Sequence, residues 1–144
     1  MSHAIKHLFH INAPLESVFR ALTSIEELKS WYTTQVGGSS EPDHVIEFKF
    51  GDIDFHAKVV ELIPNKKIVW ECIATSLPLV GHKMIFDLDQ NDHKTRIRYT
   101  QEGFEDADDL YANMNFSMGK YLESLRQFCQ QGISEAFGSE GYRS

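Results

Sequence analysis

Apolar and polar positions alternate at the start of the chain. From Ile5 to Ile11 every second side chain is apolar or histidine, a pattern that predicts a half-buried strand. Pro14 then suits the first turn of a helix. The apolar spacing of Val18 and Leu22 predicts that this helix is short and buried along one side.

A second short helix is predicted directly afterwards. Ser24 and Glu27 have the spacing of a capping box, and the helix that they begin carries Leu28 toward Trp31. The stretch 33–43 contains the run Gly-Gly-Ser-Ser and is expected to be a flexible loop within the domain.

Five further strands are predicted between residues 45 and 101, because apolar alternation there is interrupted only by turns short enough for hairpins. Consecutive hairpins indicate an antiparallel meander, so the first strand completes a curved, six-stranded sheet. One face of this sheet is apolar and needs a cover, while the other is charged. The five strands are Val45–Phe50, Ile53–Ile63, Lys67–Thr75, Gly81–Asp89 and Lys94–Gln101.

The cover is predicted to be one long helix from Asp108 to about Gln131. Acidic residues at its start favour the positive end of the helix dipole, and Gly132 is a natural stop. Residues 1–132 are therefore expected to form a single domain, and residues 133–144 a polar, flexible tail. The apolar stripe of the helix contains Leu110, Met114, Met118, Tyr121, Leu122, Leu125, Phe128 and Cys129.

Composition and charge limit the possible partners. A chain of 144 residues, 42% hydrophobic and 24% charged, is ordinary for one globular domain. The net charge of -7 repels phosphate backbones and anionic lipid, so no nucleic acid and no membrane is expected as a partner.

Cys72 and Cys129 have no paired spacing and are expected to be buried thiols in a reducing compartment. The first residues lack the apolar core of a signal peptide, and a cytoplasmic protein is predicted.

Short runs of residues along nearly the whole chain carry a family resemblance. They are Ile11-Asn12-Ala13-Pro14, Val18 to Thr23, Leu28 to Tyr32, Phe48 to Gly51, Val59 to Pro64, Ile68 to Cys72, Phe86 to Leu88, Thr95 to Tyr99, Gly103-Phe104, and Tyr121-Leu122 with Leu125 and Gly132. In this order they resemble the helix-grip fold of the START-like (SRPBCC) superfamily. Within it, they are similar to the bacterial branch related to the C-terminal domain of the Hsp90 ATPase activator Aha1. The resemblance implies an α+β fold whose curved antiparallel sheet holds the C-terminal helix on its concave face.

Two positions depart from the pattern of these relatives. Phe104 stands where relatives commonly have tryptophan, so this position still carries an aromatic side chain. The loop Ser76 to Gly81 is aliphatic where many relatives carry an aromatic residue, so the resemblance does not extend to the identity of a ligand.

A curved sheet closed by a helix tends to leave a cavity, and such cavities bind apolar ligands through a few polar groups. The alternative is that the same side chains interdigitate and fill the space. Aromatic residues and methionines of the apolar face and the helix are the candidates for lining a cavity. They are Trp31, Phe48, Phe55, Trp70, Met84, Phe86, Tyr99, Met114 and Met118.

Three polar side chains, His7, His82 and Gln101, are expected to face inward and to anchor a ligand. The two histidines are either satisfied core residues or proton-transfer groups. No HxxxH on a helix or HxH on a strand occurs, so no metal site is expected. Motifs for nucleophilic catalysis and for phosphate binding are also absent, and neither a catalytic residue nor a cofactor is predicted.

The pattern favours a non-catalytic or weakly catalytic domain that binds a small apolar or amphipathic molecule, with the 33–43 loop beside the pocket mouth. The resemblance implies two alternatives. One is a protein-interaction role like that of the Aha1 C-terminal domain, and the other is a cyclase- or hydrolase-type enzyme with Tyr99, His82 or His7 as proton donor. Phe116 lies opposite the helical stripe, where it is covered by the tail, contacts a protein partner or a second copy, or is a scattered surface residue.

Overall fold

The computed structural model describes residues 2–144, in which seven strands form one antiparallel sheet and three helices flank it. The fold is α+β and of the helix-grip type, as the sequence predicts. The elements are β1 His3–Ile11, α1 Leu15–Thr23, α2 Ile25–Trp31, β2 Gln35–Gly38, β3 Val45–Phe50, β4 Ile53–Ile63, β5 Lys67–Thr75, β6 Lys83–Asn91, β7 Lys94–Phe104 and α3 Asp109–Gln131.

The strands lie in the order β1-β7-β6-β5-β4-β3-β2, so the first strand pairs with the last. The meander from β3 to β7 is made of consecutive hairpins, as predicted. Three of the four turns place Gly51, Asn65 and Asp92 in the left-handed region, with φ of 63°, 60° and 57°. Glycine, asparagine and aspartate are the residues that tolerate this conformation best. These residues therefore favour reversal of the chain at three of the four turns.

The predicted count of six strands is wrong by one. The additional strand, β2, lies inside the segment 33–43 that the sequence indicates as a loop, and it pairs with β3 at the edge of the sheet. It is only four residues long and contains two glycines, so it shows no readable alternation; Val36 alone is buried. Pairing with β3, which is a tertiary contact, makes this segment a strand.

The predicted helix ends are confirmed. Ser24 begins α2 and its hydroxyl accepts a hydrogen bond of 3.2 Å from the backbone N–H of Glu27. Asp108 begins α3 and its carboxylate accepts a bond of 3.1 Å from the N–H of Tyr111. Gly132 ends α3 with a φ of 70°, the left-handed conformation that glycine adopts at low cost.

Helix α3 covers the sheet through its apolar stripe. Met118, Leu122 and Leu125 are buried, and they pack in the same core as the inner face of the strands. The buried hydroxyl of Ser124 donates a 2.7 Å hydrogen bond to the carbonyl of Trp31, which ties α3 to the end of α2. No helix within residues 2–144 is long and apolar enough to cross a membrane.

Residues 133–144, here called the C-terminal strap, return from α3 across the domain. Polar composition predicts a flexible tail for this segment. In the structure, Ala136 is fully buried and Phe137 packs against the core. The N–H of Phe137 donates to the carbonyl of Tyr32 at 3.0 Å, and the N–H of Thr34 donates to the carbonyl of Phe137 at 2.9 Å. Two apolar side chains and two backbone hydrogen bonds therefore hold the strap against the connection between α2 and β2.

Candidate functional site

A pocket of about 310 Å³ lies between the inner face of the sheet and the N-terminal half of α3. Strands β6 and β7 and the hairpin of β3 and β4 contribute strand residues to its lining. Half-buried or exposed residues such as Ser117 and Asn113 mark its mouth. The lining residues are Tyr32, Phe50, Ile53, Phe55, Leu77, Leu79, Met84, Tyr99, Gln101, Asn113, Met114, Ser117, Met118, Tyr121 and Phe137.

Five of the nine residues expected to line a cavity do line this pocket: Phe55, Met84, Tyr99, Met114 and Met118. Three of them are on β-strands and two are on α3. Their alternation on the strands and their helical spacing on α3 bring them to one space, since both patterns direct side chains between the same two layers.

The other four expected residues, Trp31, Phe48, Trp70 and Phe86, are buried in the core and do not line this pocket. Each packs against a residue that does. The ring centroid of Trp31 lies 5.0 Å from that of Tyr32, that of Phe48 lies 6.3 Å from Phe55, that of Trp70 lies 6.4 Å from Tyr32, and that of Phe86 lies 5.0 Å from Tyr99. These four side chains therefore support the wall from behind.

Several lining residues were not named from the sequence. Leu77 and Leu79 come from the loop between β5 and β6, whose shape periodicity does not predict. Phe137 comes from the strap, and its position depends on backbone bonds to a segment about a hundred residues away in the chain. Tyr32 lies just after the last residue of α2, where helical periodicity no longer predicts the direction of a side chain. Tyr121 also lines the pocket, and its place in the apolar stripe of α3 is the sequence signal that could have identified it.

A buried chain of three polar side chains adjoins the apolar lining. The hydroxyl of Tyr99 donates a 3.0 Å hydrogen bond to Oε1 of Gln101, and Nε2 of Gln101 lies 3.4 Å from Nδ1 of His82. All three residues are buried, with at most 6% of their surface exposed. Because Oε1 of Gln101 accepts from Tyr99, its amide N–H groups remain to donate, and Nδ1 of His82 is the acceptor. The imidazole is then neutral and carries its proton on Nε2.

Strand geometry explains why this polar chain forms. Tyr99 and Gln101 are two residues apart on β7, so both face inward. His82 precedes β6, and its ring is held between Gly103 and the edge of Phe104, whose centroid is 4.5 Å away. Burial lowers the pKa of His82, which agrees with the neutral imidazole that the hydrogen bonds require.

Burial also controls the ionisation of the tyrosines at the pocket. It raises the pKa of Tyr32, Tyr99 and Tyr121 well above that of a free phenol, because an apolar surrounding disfavours the phenolate. Every lining residue among those described is uncharged at neutral pH. The pocket therefore presents neutral hydrogen-bonding groups in an apolar wall.

His7 lies apart from the pocket, although it was expected to be an inward-facing anchor beside His82. Its Nε2 atom is buried and, within residues 2–144, has no hydrogen-bond partner. Its ring centroid is 6.3 Å from that of Tyr99, and its Cε1 faces Gly119 of α3. The side chain borders a shallow groove on the far side of α3, next to the exposed Phe116. The structure therefore does not bring His7 together with His82 and Gln101.

Other reactive groups of the described chain are arranged for packing. The thiols of Cys72 and Cys129 are free, and burial raises the pKa of Cys72 to about 11 and that of Cys129 to about 12. Both thiols are protonated at neutral pH and are poor nucleophiles in that form. Among residues 2–144, no group of three or more histidine, cysteine or acidic side chains is placed to hold a metal ion.

Comparison with known proteins gives one family match. The family described as "Activator of Hsp90 ATPase homolog 1-like protein" matches residues 12–130. No curated protein matches the chain at a significant level.

Solved structures resemble the whole domain. The Aha1 dimer from Colwellia psychrerythraea is 29% identical, with a TM-score of 0.84 over 90% of this chain and 98% of that chain. Protein MLL2253 from Mesorhizobium loti is 21% identical, with a TM-score of 0.77 over 87% and 95% of the two chains. CalU16 from Micromonospora echinospora is 12% identical, with a TM-score of 0.75 over 88% and 74%. The last two similarities establish the fold alone. Since the family match covers most of the chain, from the residue after β1 to the last turn of α3, the chain belongs to the family of Activator of Hsp90 ATPase homolog 1-like proteins.

Proposed function

We propose that the protein binds a small apolar or amphipathic molecule in the pocket between the sheet and α3, without a catalytic step. The observation that carries this proposal is the combination of a mostly apolar lining with the buried pair Tyr99 and Gln101 in its wall. Ligand pockets typically pair an apolar surface with a few placed polar groups, and the volume of about 310 Å³ lies at the lower end of their ~300–1,000 Å³ range.

Two features argue that this space is more than imperfect packing. The lining is mainly apolar, whereas three other concave spaces on the described chain, of about 380, 430 and 420 Å³, are bordered mostly by polar and charged residues. Two methionines, Met114 and Met118, lie on the helical side, and methionine side chains adapt to guests of irregular shape.

The test is native mass spectrometry of the protein purified from its own host, with a variant that obstructs the pocket. Ser117 lies at the mouth and is half-buried, so Ser117→Phe places a ring in the opening. Asn115→Phe adds the same ring on the far side of α3, where residue 115 is exposed, and is the matched control. We expect a retained small molecule in the wild type and in Asn115→Phe, and its loss in Ser117→Phe. A molecule retained equally by all three, or by none, refutes ligand binding in this pocket.

An interaction with an Hsp90 homologue is a second candidate function. It is supported by the family match and by one surface feature, the side chain of Phe116, which is 70% exposed on the outer face of α3. A pull-down with an Hsp90 homologue, followed by measurement of its ATPase rate, tests this role. The candidate fails if neither binding nor stimulation is seen.

The same Phe116 face is also where we propose that a second copy binds. The relative from Colwellia psychrerythraea is described as a dimer, and large exposed aromatics are enriched at such contacts. Light scattering coupled to size exclusion should give a dimer for the wild type and a monomer for Phe116→Asp. Leu8→Asp, which changes an apolar residue of β1 that is 61% exposed, should remain a dimer. A monomeric wild type rules the contact out.

A further inference from the structure

The polar groups of the pocket limit which small, mostly apolar ligands it can bind. This step rests on the proposed function of the same pocket. Three observations bear on it: the charge of the lining, the behaviour of ionisable groups inside it, and the hydrogen-bonding capacity that Tyr99 and Gln101 leave unused.

The lining offers no partner for a charged ligand. None of the described residues around the pocket is lysine, arginine, aspartate or glutamate. A carboxylate or ammonium group bound there would lose its hydration and gain no opposite charge, which is strongly unfavourable in an apolar site. The aromatic rings of Tyr32 and Phe55 could attract a cation, but such contacts offset only a small part of that cost.

The side chains of the pocket already respond to this environment. The phenols of Tyr32, Tyr99 and Tyr121 are held in their neutral form, because burial raises the pKa of each. The imidazole of His82, beside the amide of Gln101, is also held neutral. Here burial lowers the pKa, because the charged form of histidine is the protonated one. Both the tyrosine hydroxyls and the His82 imidazole resist ionisation, so the pocket also disfavours a positive or a negative charge on a ligand.

Tyr99 and Gln101 retain hydrogen-bonding capacity. Oε1 of Gln101 accepts one bond from the Tyr99 hydroxyl and has a second lone pair, while Nε2 keeps one N–H beyond the one directed at His82. The hydroxyl of Tyr99 donates its hydrogen to Gln101, and its oxygen can still accept. A ligand hydroxyl, which both donates and accepts, matches this pair better than a group that can do only one.

We infer that the pocket selects an uncharged ligand with an apolar body and a single hydroxyl group, which is bound by Gln101 and Tyr99. The apolar body lies among Phe55, Met84 and Met118, and the hydroxyl lies toward β7. Carboxylate and ammonium analogues of the same body are excluded.

The experiment uses four probes with the same two-ring body: naphthalene, 2-naphthol, 2-naphthoate and 2-naphthylmethylamine. A cavity of ~150 Å³ accommodates benzene, so one of about 310 Å³ has room for two fused rings. Binding at pH 7 is measured by calorimetry for the wild type, Tyr99→Phe and Gln101→Leu. At this pH 2-naphthol is neutral, while the carboxylate and the ammonium are charged.

We expect 2-naphthol to bind the wild type about two- to tenfold more tightly than naphthalene, the range of one net hydrogen bond. Both charged probes should bind more weakly than naphthalene. Tyr99→Phe keeps the ring and the fold, and it should reduce the preference for 2-naphthol over naphthalene without weakening naphthalene. Gln101→Leu should abolish that preference.

The outcomes separate the two proposals. If no probe binds, ligand binding in this pocket is itself refuted. If the probes bind but a charged one binds most tightly, or if 2-naphthol and naphthalene bind equally to the wild type, the pocket is a ligand site but the inference of a neutral hydroxyl ligand is wrong. The order of the four affinities for the wild type decides this even if Gln101→Leu fails to fold.

Discussion

The main-chain N–H of Phe137 donates a 3.0 Å hydrogen bond to the carbonyl of Tyr32, and both side chains line the same pocket. A residue beyond the last helix and a residue at the end of α2 thus share one wall. The ring of Phe137 also packs against Phe50, with a centroid distance of 5.8 Å, and against Tyr142, at 5.1 Å. The C-terminal strap is therefore part of the pocket.

Replacement of Phe137 by alanine should destabilise the domain. The side chain is half-buried, so we expect a loss of about 1–2 kcal/mol in the free energy of unfolding, below the ~3–5 kcal/mol typical of fully buried phenylalanine. Urea denaturation followed by tryptophan fluorescence measures it. Ile133→Ala, in the same segment at a residue that is 46% exposed, is the control and should change stability by less than about 0.5 kcal/mol. Equal effects of the two substitutions would show that the strap does not pack as described.

Helix α3 and the C-terminal strap differ in how far the sequence predicts them. Helix α3 was predicted with both its ends because its stripe and caps are local signals: Asp108 and Gly132 lie at the termini themselves. The position of Phe137 depends on backbone hydrogen bonds to residues 32 and 34, which no local pattern encodes. The short strand β2 was missed for the same reason, since pairing with β3 makes it a strand.

The sequence pattern likewise predicts only some of the residues that line the pocket. Met84 and Tyr99 were identified because alternation along a strand determines which face a side chain occupies. Alternation cannot distinguish a residue that borders a space from one behind it, so Trp70 and Phe86 were assigned to the lining although they lie in the core. That distinction depends on the curvature of the sheet and the path of the loop that carries Leu79.

Gly103 controls the position of the His82 ring. A Cβ atom at this glycine would lie 2.7 Å from Cδ2 and 2.9 Å from Cγ of His82, and its φ is 126°. Gly103→Ala should therefore cost both backbone strain and displacement of a buried ring, together about 2–4 kcal/mol. Thermal and urea unfolding measure the loss.

The matched control for this change is Gly81→Ala. Gly81 also has a positive φ, of 93°, but a Cβ atom there would meet no other residue within 4 Å. It should incur the backbone strain alone, so Gly103→Ala should be the more destabilising of the two. If the two variants unfold at the same urea concentration, the contact between residue 103 and His82 contributes nothing.

His82 should make the stability of the domain depend on pH. Burial lowers its pKa below the ordinary value of 6.5, so the unfolded chain binds a proton at a pH where the folded chain does not. The resulting contribution is fully present above pH 6.5 and is lost as the pH falls through that value toward the lower pKa of the folded state. Protonation also turns Nδ1 into a donor, which faces the amide of Gln101 at 3.4 Å.

The measurement compares the wild type with His82→Gln between pH 8 and pH 5.5. Glutamine keeps an oxygen that can accept from the Gln101 amide but does not titrate in this range. We expect the free energy of unfolding of the wild type to fall more steeply than that of the variant as the pH decreases below 6.5. Parallel curves for the two proteins would mean that His82 has the same pKa in the folded and unfolded states.

The hydrogen bond between Ser124 and Trp31 should be the most sensitive polar contact between α3 and the rest of the fold. The hydroxyl is buried and donates at 2.7 Å to a carbonyl at the end of α2, where the helix supplies no partner of its own. Ser124→Ala leaves that carbonyl buried and unsatisfied, which typically costs about 1–3 kcal/mol. Urea unfolding should detect a loss of this size. Ser117→Ala, the same chemical change two turns earlier on α3 at a half-buried site, should cost less than about 0.5 kcal/mol. If Ser124→Ala is as mild as Ser117→Ala, the end of α2 is held to α3 by apolar packing alone.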